Sequence, residues 1–396
     1  AATSGGLKFG DKIIKIDNWD AKSHSLAEVN EKLRGPRGSK FKITIERVAD
    51  RELQTVEVIR EPFPQPTVPH AYMLEAGVGY IDLGNGFKAG SGDAFSYKLQ
   101  ELHNKGMTSL ILDLRNNPGG LLADGIGVAR QFLEEGRLIL TRSNRKTNSG
   151  QFEFKSNNRN PDKSPIVVLV NENTGSASEI VAGALQDHKR ALIVGETTFG
   201  QGVIQIIIPL EYGNALLLTN SKIVLPLGRL VQGDYSNLSF YYKGPPRRIK
   251  HSFSDYRGGI EPDEVVRPVE ISREQPQMIE LVFGFARQLV NGRIIGFNSY
   301  EVRGPVDFSH DLKPDEFPVS DSLFNAFKEF VAKEPSYKLT EKQLNTNREF
   351  IVRQLRYDIV AAFYGLLTAE RVLKAHDPQI LRAIEALPRA AKLVTR

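Results

Sequence analysis

The sequence contains no cysteine. That excludes disulfides, zinc sites built on thiolates, and a thiol nucleophile. It is compatible with an oxidising envelope compartment without establishing one. No apolar run approaches the roughly 18–20 residues that cross a bilayer as a helix. The opening residues, Ala1-Ala2-Thr3-Ser4-Gly5-Gly6, do not read as a signal peptide. No block of one charge sign dominates. The net charge of +5 is spread over 396 residues, and basic runs such as Arg247-Arg248-Ile249-Lys250 are short, which argues against a nucleic-acid partner. The seven histidines show no metal-ligand spacing. There is no Walker loop, dinucleotide fingerprint or zinc motif, and the glycine pairs Gly77-Val78-Gly79 and Gly90-Ser91-Gly92 stand alone. The expectation is a protein with neither metal nor cofactor.

What is present is an average globular composition, about 40% hydrophobic and 25% charged, over a length that suggests two to four domains. There is no internal repeat and no low-complexity run. The N-terminal segment Gly6-Leu7-Lys8-Phe9-Gly10-Asp11-Lys12-Ile13-Ile14-Lys15-Ile16-Asp17 reads as a turn followed by a strand with alternating apolar residues. A short amphipathic helix at 25–33 follows, with Ser25 as N-cap and Glu28 three residues on. A half-buried strand at 41–47 comes next. Prolines at 62, 64, 66 and 69 mark an extended linker. Beyond it, short continuous apolar strands at 78–83, 109–115, 166–170 and 191–195 alternate with helical patterns at 93–105, 124–133 and 178–188. That alternation predicts an α/β sheet, at least partly parallel and covered on both faces. After about residue 272 the pattern is helical, with Phe350, Ile351, Leu355, Ile359, Phe363 and Leu367 at helical spacing.

In such sheets, sites lie at the carboxyl ends of strands. Two candidate loops follow buried strands directly: Asn116-Asn117-Pro118-Gly119-Gly120 and the stretch from Asn171 to Ser178. They are expected side by side. In the second, a small-residue turn presents Ser176 between an apolar strand and an apolar helix, which is how a fold exposes a serine nucleophile. Local spacing leaves another reading open, that Ser176 and Ser178 only cap the helix. His188 lies about three turns further along that helix, so no Ser-His-Asp triad is expected, and Asp187 and His188 read as polar helix-end residues. No G-x-S-x-G elbow surrounds Ser176, which argues against an α/β hydrolase.

Taken together, "LILDLRNNPGG", "NENTGSASEIVAG", "GETTFGQGVIQ" and the closing "GGIEPD" resemble the serine–lysine proteases of the carboxy-terminal processing (tail-specific, S41) family. The resemblance covers roughly residues 5 to 270. It implies an α/β fold with a ClpP/crotonase-like mixed-sheet protease core at 63–271. It also implies a PDZ-like domain at 1–62 whose N-terminal part lies outside this sequence, and a helical C-terminal domain at 272–396. The family's general-base lysine falls twenty-five positions beyond the serine, and this chain has Gln201 there; the family's supporting glutamine, four further on, is Gln205. By resemblance, the amides of Gly119 and Ala177 form the oxyanion hole, with Gly120 as the alternative to Gly119, while Asp113 and Arg115 brace the loop. An amide neither accepts nor cycles a proton at neutral pH, so the chain is expected to be inactive as it stands. Two origins fit: an engineered Lys→Gln change, which the intact flanks favour, and a natural pseudoprotease that keeps peptide binding.

The resemblance implies a serine endopeptidase acting near the C-termini of proteins, without cofactor, on unstructured tails gripped by the PDZ-like domain. Val29 and Leu33 on its helix are candidates to line the groove, and core packing is equally open to them. The resemblance implies that the loop supplying a carboxylate grip lies outside this sequence. The rival is a PDZ-type scaffold that binds tails without cutting them. The expected setting is the bacterial periplasm or cell envelope, or alternatively the thylakoid lumen.

Overall fold

The computed structural model describes residues 6–48, 52–61, 66–75, 77–144, 151–233, 258–334 and 337–394. The chain forms two compact units: Ala1–Pro64 with Glu270–His376, and Gln65–Val269 with Asp377–Arg396.

In the first unit, strands β1 (Lys12–Ile16), β2 (Trp19–Asp20), β3 (Lys40–Glu46) and β4 (Leu53–Ile59) form an antiparallel sheet in the order β2-β1-β3-β4. Helix α1 (Leu26–Leu33) starts with the expected capping box: the Glu28 amide donates to Ser25 Oγ, and the Ser25 amide donates to Glu28 Oε2. Val29 and Leu33 pack against the core of Ile16, Phe41, Ile43, Ile45 and Val58. Of the two readings open to them, the structure displays packing. The rest of the unit is helical, with segments Gln275–Val290, Asp321–Ala332, Glu341–Thr346, Arg348–Tyr364 and Leu366–Lys374. Ile351, Leu355 and Ile359 are fully buried on one face of the fourth of these helices, at the spacing the sequence displays.

The division of the chain differs from the expected one in two ways. The N-terminal sheet and the helical segment share one unit. Phe9 meets Phe283 edge to face at 5.6 Å, and its carbonyl accepts from Asn291 Nδ2. An aromatic ring carried on a glycine-flanked turn thus joins a helical core, a contact no local periodicity encodes. Of the proline-rich linker, residues 62–65 lie outside the described residues. The second difference is the last helix, Pro378–Val394, which belongs with the sheet unit.

The second unit begins with β5 (His70–Glu75), β6 (Val78–Asp82), α2 (Ser91–Asn104), β7 (Ser109–Asp113) and α3 (Leu122–Arg130). It continues through β8 (Leu138–Asn144), β9 (Gln151–Lys155), β10 (Ile166–Val170), α4 (Ala177–Asp187) and β11 (Leu192–Gly195). It closes with β12 (Val203–Pro209), β13 (Ala215–Val224) and β14 (Glu264–Val265), ahead of the last helix. The main sheet runs β14-β11-β10-β7-β6-β5, parallel throughout except for β5. Its strands are mixed in direction and the architecture is α/β. A smaller antiparallel sheet runs β12-β13-β8-β9.

Strand alternation sorts the apolar runs onto two faces. Ile81, Leu110, Leu112, Val168 and Val170 share a core with α2, α3 and α4 residues such as Phe95, Ile126 and Val181. Tyr80, Ile111, Val167 and Leu169 point the other way, onto Ile380, Ala383, Leu387 and Ala390 of the last helix. A parallel sheet needs cover on both faces, and this amphipathic helix supplies the second layer.

A buried polar network anchors it. Arg115 clasps Asp113 through Nη2 at 2.6 Å and reaches Asp377 Oδ2 and Gln379 Oε1 at the start of the helix, at 2.6 and 2.7 Å. Tyr80 donates to Asp113 Oδ2 at 2.6 Å. Burial pushes the Asp113 carboxyl up, but the Arg115 charge and the hydrogen bonds outweigh it and hold the carboxyl below its ordinary value. The sign follows: Asp113 stabilises the fold above its unfolded pKa, and that contribution is lost as pH falls through its lowered folded value. Arg115→Met strands a buried carboxylate and frees the helix start. It is expected to cost about 3–5 kcal/mol, read as a lower urea midpoint, with the deficit shrinking in acid as Asp113 protonates. An unchanged midpoint would contradict this account of the network.

Candidate active site

Four consecutive parallel strands, β6, β7, β10 and β11, deliver their carboxyl ends to one edge of the sheet, and hydrogen bonds stitch the loops that follow. Asn117 Nδ2 donates to the Leu83 carbonyl at 2.6 Å, and the Phe87 amide to the Gly119 carbonyl at 2.6 Å. The Gly175 amide donates to the Asn117 carbonyl at 2.9 Å, and Thr174 Oγ1 to the Leu114 carbonyl at 2.8 Å. The Phe199 amide donates to the Thr174 carbonyl at 2.9 Å. The two candidate loops therefore lie side by side, and the loop at 196–202 joins them.

Ser176 stands at the entry to α4 with φ 52° and ψ −116°, a backbone conformation rare for a residue with a side chain. The turn lifts it out of the strand direction before the helix begins. Gly119 is pressed against it: a Cβ there would fall 2.6 Å from Ser176 Cβ and 2.9 Å from the Ala177 nitrogen, and its φ is +96°. Only glycine fits. Ser176, Ala177 and Gly119 are thus brought together. One detail differs from the expected oxyanion arrangement. The Gly119 amide donates to Asn117 Oδ1 at 2.9 Å, so in this conformation it is already partnered. The N-terminus of α4, with the Ala177 amide at its first turn, favours negative charge through the helix dipole.

The residue that organises the site is one the motif reading passed over. Glu179 is fully buried, and both carboxylate oxygens are saturated. Oε2 accepts the amides of Ser176 and Gln201, each at 2.8 Å. Oε1 accepts the Gly200 amide at 2.7 Å and Thr198 Oγ1 at 2.5 Å. Thr198 Oγ1 in turn accepts the Ile260 amide at 2.6 Å, so its own proton goes to Glu179 and the "GGIEPD" segment is tied in. Burial pushes the Glu179 carboxyl up, against four donors that each favour the anion. The sequence signal was the S-x-x-E spacing at a helix start, which predicts a carboxylate reaching back to the cap amide.

The remaining site residues fall as follows. Gln201 is beside Ser176 through Glu179, in a loop held by the Gly202 amide donating to Gln232 Oε1 at 2.9 Å and the Gly233 amide donating to the Gly200 carbonyl at 3.1 Å. Gln205 lies on β12 with an exposed side chain whose Nε2 donates to Thr219 Oγ1 at 3.4 Å, directed across the strand pair. His188 closes the far end of α4, where its Nε2 meets the Leu138 carbonyl at 2.7 Å. Among the described residues, no titratable side chain bonds to the Ser176 hydroxyl. Glu179 cannot serve as its base, because every lone-pair direction it offers is already taken by a donor. The arrangement can present a serine beside a helix N-terminus, but it lacks a proton acceptor at position 201.

Comparison with known proteins bears on these loops. Residues 77–235 match peptidase family S41. The chain is 39% identical over 229 residues to the carboxyl-terminal-processing protease of Picosynechococcus, covering 57% of this chain and 54% of that protein. It is 36% identical over 276 residues to the protein of the same name from Synechocystis, covering 68% of this chain and 58% of that protein. The chain thus spans little more than half the length of these relatives. Among solved structures, it is similar to a photosystem II D1 C-terminal processing protease at 28% identity, over 67% of this chain and 65% of that one, with a TM-score of 0.39.

Proposed function

We propose that this chain, which carries the peptidase domain of family S41 at residues 77–235, is a serine endopeptidase of the carboxy-terminal processing kind, with Ser176 as nucleophile and position 201 as the seat of its general base. The observation that carries the reading is the shared carboxylate oxygen: the Ser176 and Gln201 amides both lie 2.8 Å from Glu179 Oε2. A lysine at 201 would stand in the loop adjoining the nucleophile, where a neutral amine can take the hydroxyl proton. The acyl-enzyme oxygen would sit at the start of α4, against Ala177 and the glycine pair 119–120, with the Asn117–Gly119 contact opening to release the Gly119 amide. On this reading the core is of the ClpP/crotonase-like type. The β1–β4 sheet with α1 is the latter part of a PDZ domain that selects unstructured tails. The working compartment is the envelope of a bacterium or the thylakoid lumen.

With Gln201 in place, the site binds substrate but does not turn it over. The same residue favours the second reading, a peptide-binding scaffold. The test is Gln201→Lys, assayed on a protein with an unstructured tail, with Ser176→Ala in that background as control. Cleavage that depends on both residues supports the protease. Binding without cleavage at any pH supports the scaffold.

A further inference from the structure

Helix α2 borders a groove that is separate from the loops around Ser176. Its inward face carries the buried Phe95, Leu99 and Leu102. Along its other side, Asp93, Ser96, Tyr97, Gln100 and His103 recur at helical spacing. Facing them are Gln131, just past α3, and the segment 160–164 that leads into β10. The two walls enclose about 860 Å³ over a helix length of about 15 Å. Helix α2 ends and β10 begins at the amino edge of the parallel strands, so the His103 end of the groove lies across the sheet from Ser176, which follows the carboxyl edge.

The far wall is fixed by its own bonds. The Asp162 amide donates to the Gln131 carbonyl at 2.7 Å, and the Ser164 amide to Asp162 Oδ1 at 2.7 Å. Arg190 Nη2 donates to the Asp162 and Ser164 carbonyls at 2.6 and 2.8 Å. His103 Nε2 meets Asp162 Oδ2 and ties α2 to this wall. Other polar groups lining the groove are left over. Among the described residues, the side chains of Asp93, Asn160 and Lys163, the Tyr97 hydroxyl and Gln131 Nε2 have no hydrogen-bond or ion-pair partner. Ser96 Oγ reaches Gln131 Oε1 only at 3.5 Å, long for a hydroxyl donor.

We propose that this groove binds a neutral oligosaccharide. The inference stands apart from the chemistry at Ser176. Its free groups are a carboxylate, two amides, a phenol and an ammonium, a mixture of acceptors and donors. Sugar hydroxyls both donate and accept, so a row of them can pair with all of these. The Tyr97 ring is 66% exposed and offers an apolar face to the C–H side of a sugar ring. Charge argues against a polyanion, because the Lys163 ammonium is offset by the Asp93 carboxylate and His103 is held by Asp162. Lining chemistry argues against a lipid chain or an apolar peptide. Apart from Tyr97, the apolar side chains along the groove are Leu99 and Pro161, both already buried, so little burial is left to gain. The volume falls within the roughly 300–1,000 Å³ of small-ligand sites. The fixed wall spares a ligand the cost of ordering it.

The test is titration calorimetry on the full chain with cellotetraose, maltotetraose and the tetramer of N-acetylglucosamine. Three variants accompany it: Tyr97→Ala, Tyr97→Phe and Asn160→Ala. Tyr97 and Asn160 are exposed, so all three are expected to keep the parent melting temperature. The expected result is saturable binding of at least one of the sugars, weakened about tenfold by Tyr97→Ala and by Asn160→Ala. Tyr97→Phe keeps the ring and is expected to lose less than Tyr97→Ala. The absence of saturable binding by all three sugars overturns the proposal. So does sugar binding that survives both alanine variants, which places the sugar elsewhere on the chain. A peptide rich in Ser, Asn and Lys is titrated in parallel. If it binds with the same dependence on Tyr97 and Asn160 while the sugars fail, the groove belongs to a protein partner and the proposal falls.

Discussion

Gln201→Lys is expected to confer cleavage of unstructured tails, and Ser176→Ala in that background is expected to abolish it. General-base catalysis typically contributes about 10²–10⁴-fold, and loss of one member of a cooperating nucleophile site can cost more. The change should therefore be plain on a gel. Its pH dependence has a definite sign. The lysine acts only as the neutral amine, so the rate should rise with pH through the amine's folded-state pKa. A rate that fell with rising pH would place the essential group elsewhere. Restored cleavage that survived Ser176→Ala would remove the serine from the mechanism.

The second large effect is expected at Glu179, where even an isosteric change should fail. Three of its four partners are backbone amides, which can only donate, and the fourth, Thr198 Oγ1, is committed as a donor because it accepts from Ile260. A carboxylate accepts all four. Glu179→Gln brings an NH₂ group against one pair of donors in either orientation, and at least one buried amide loses its acceptor. Each such orphan costs about 1–3 kcal/mol, so Glu179→Gln is expected to lower the denaturant midpoint measurably despite unchanged volume, and Glu179→Ala to lower it further. In the Gln201→Lys background, kcat should fall more steeply than KM rises, since the Ser176 and residue-201 loops lose the atom that holds them in register. A Glu179→Gln protein with wild-type stability and undiminished kcat would show that the four-way clasp is dispensable.

Much of this could be read along the chain. The 166–170 strand and the Ser25–Glu28 capping box appear in the structure as the sequence implies, because each depends on residues within a few positions of one another. The helix before His188 starts one residue earlier than expected, at Ala177, a shift of the size that separates one boundary definition from another. Less legible were the strands with weak alternation: β8 and β9, and the β12–β13 hairpin, whose apolar residues face solvent and so carry no inward periodicity. The resemblance makes Gln205 the site's supporting glutamine, through its distance from position 201 along the chain. Spacing fixes its strand but not its side-chain direction, and the structure turns that side chain toward Thr219.

By itself, the sequence determined the alternating strand-and-helix order, the placement of two loops at strand ends, and the resemblance of the stretches around Ser176, position 201 and the glycine pair to motifs of the S41 family. These follow from local apolar pattern, from turn residues and from distances counted along the chain. Only the tertiary structure decided that Glu179 joins the serine to position 201, and that Asn117 holds the Gly119 amide. It alone showed that Pro378–Val394 covers the second face of the six-stranded sheet and that Phe9 belongs to a helical core. Each of these joins residues through space, where burial removes water and leaves a polar group or an apolar face to find whatever partner the fold brings near. A one-dimensional pattern states that such a partner is needed, and the packed chain supplies which one.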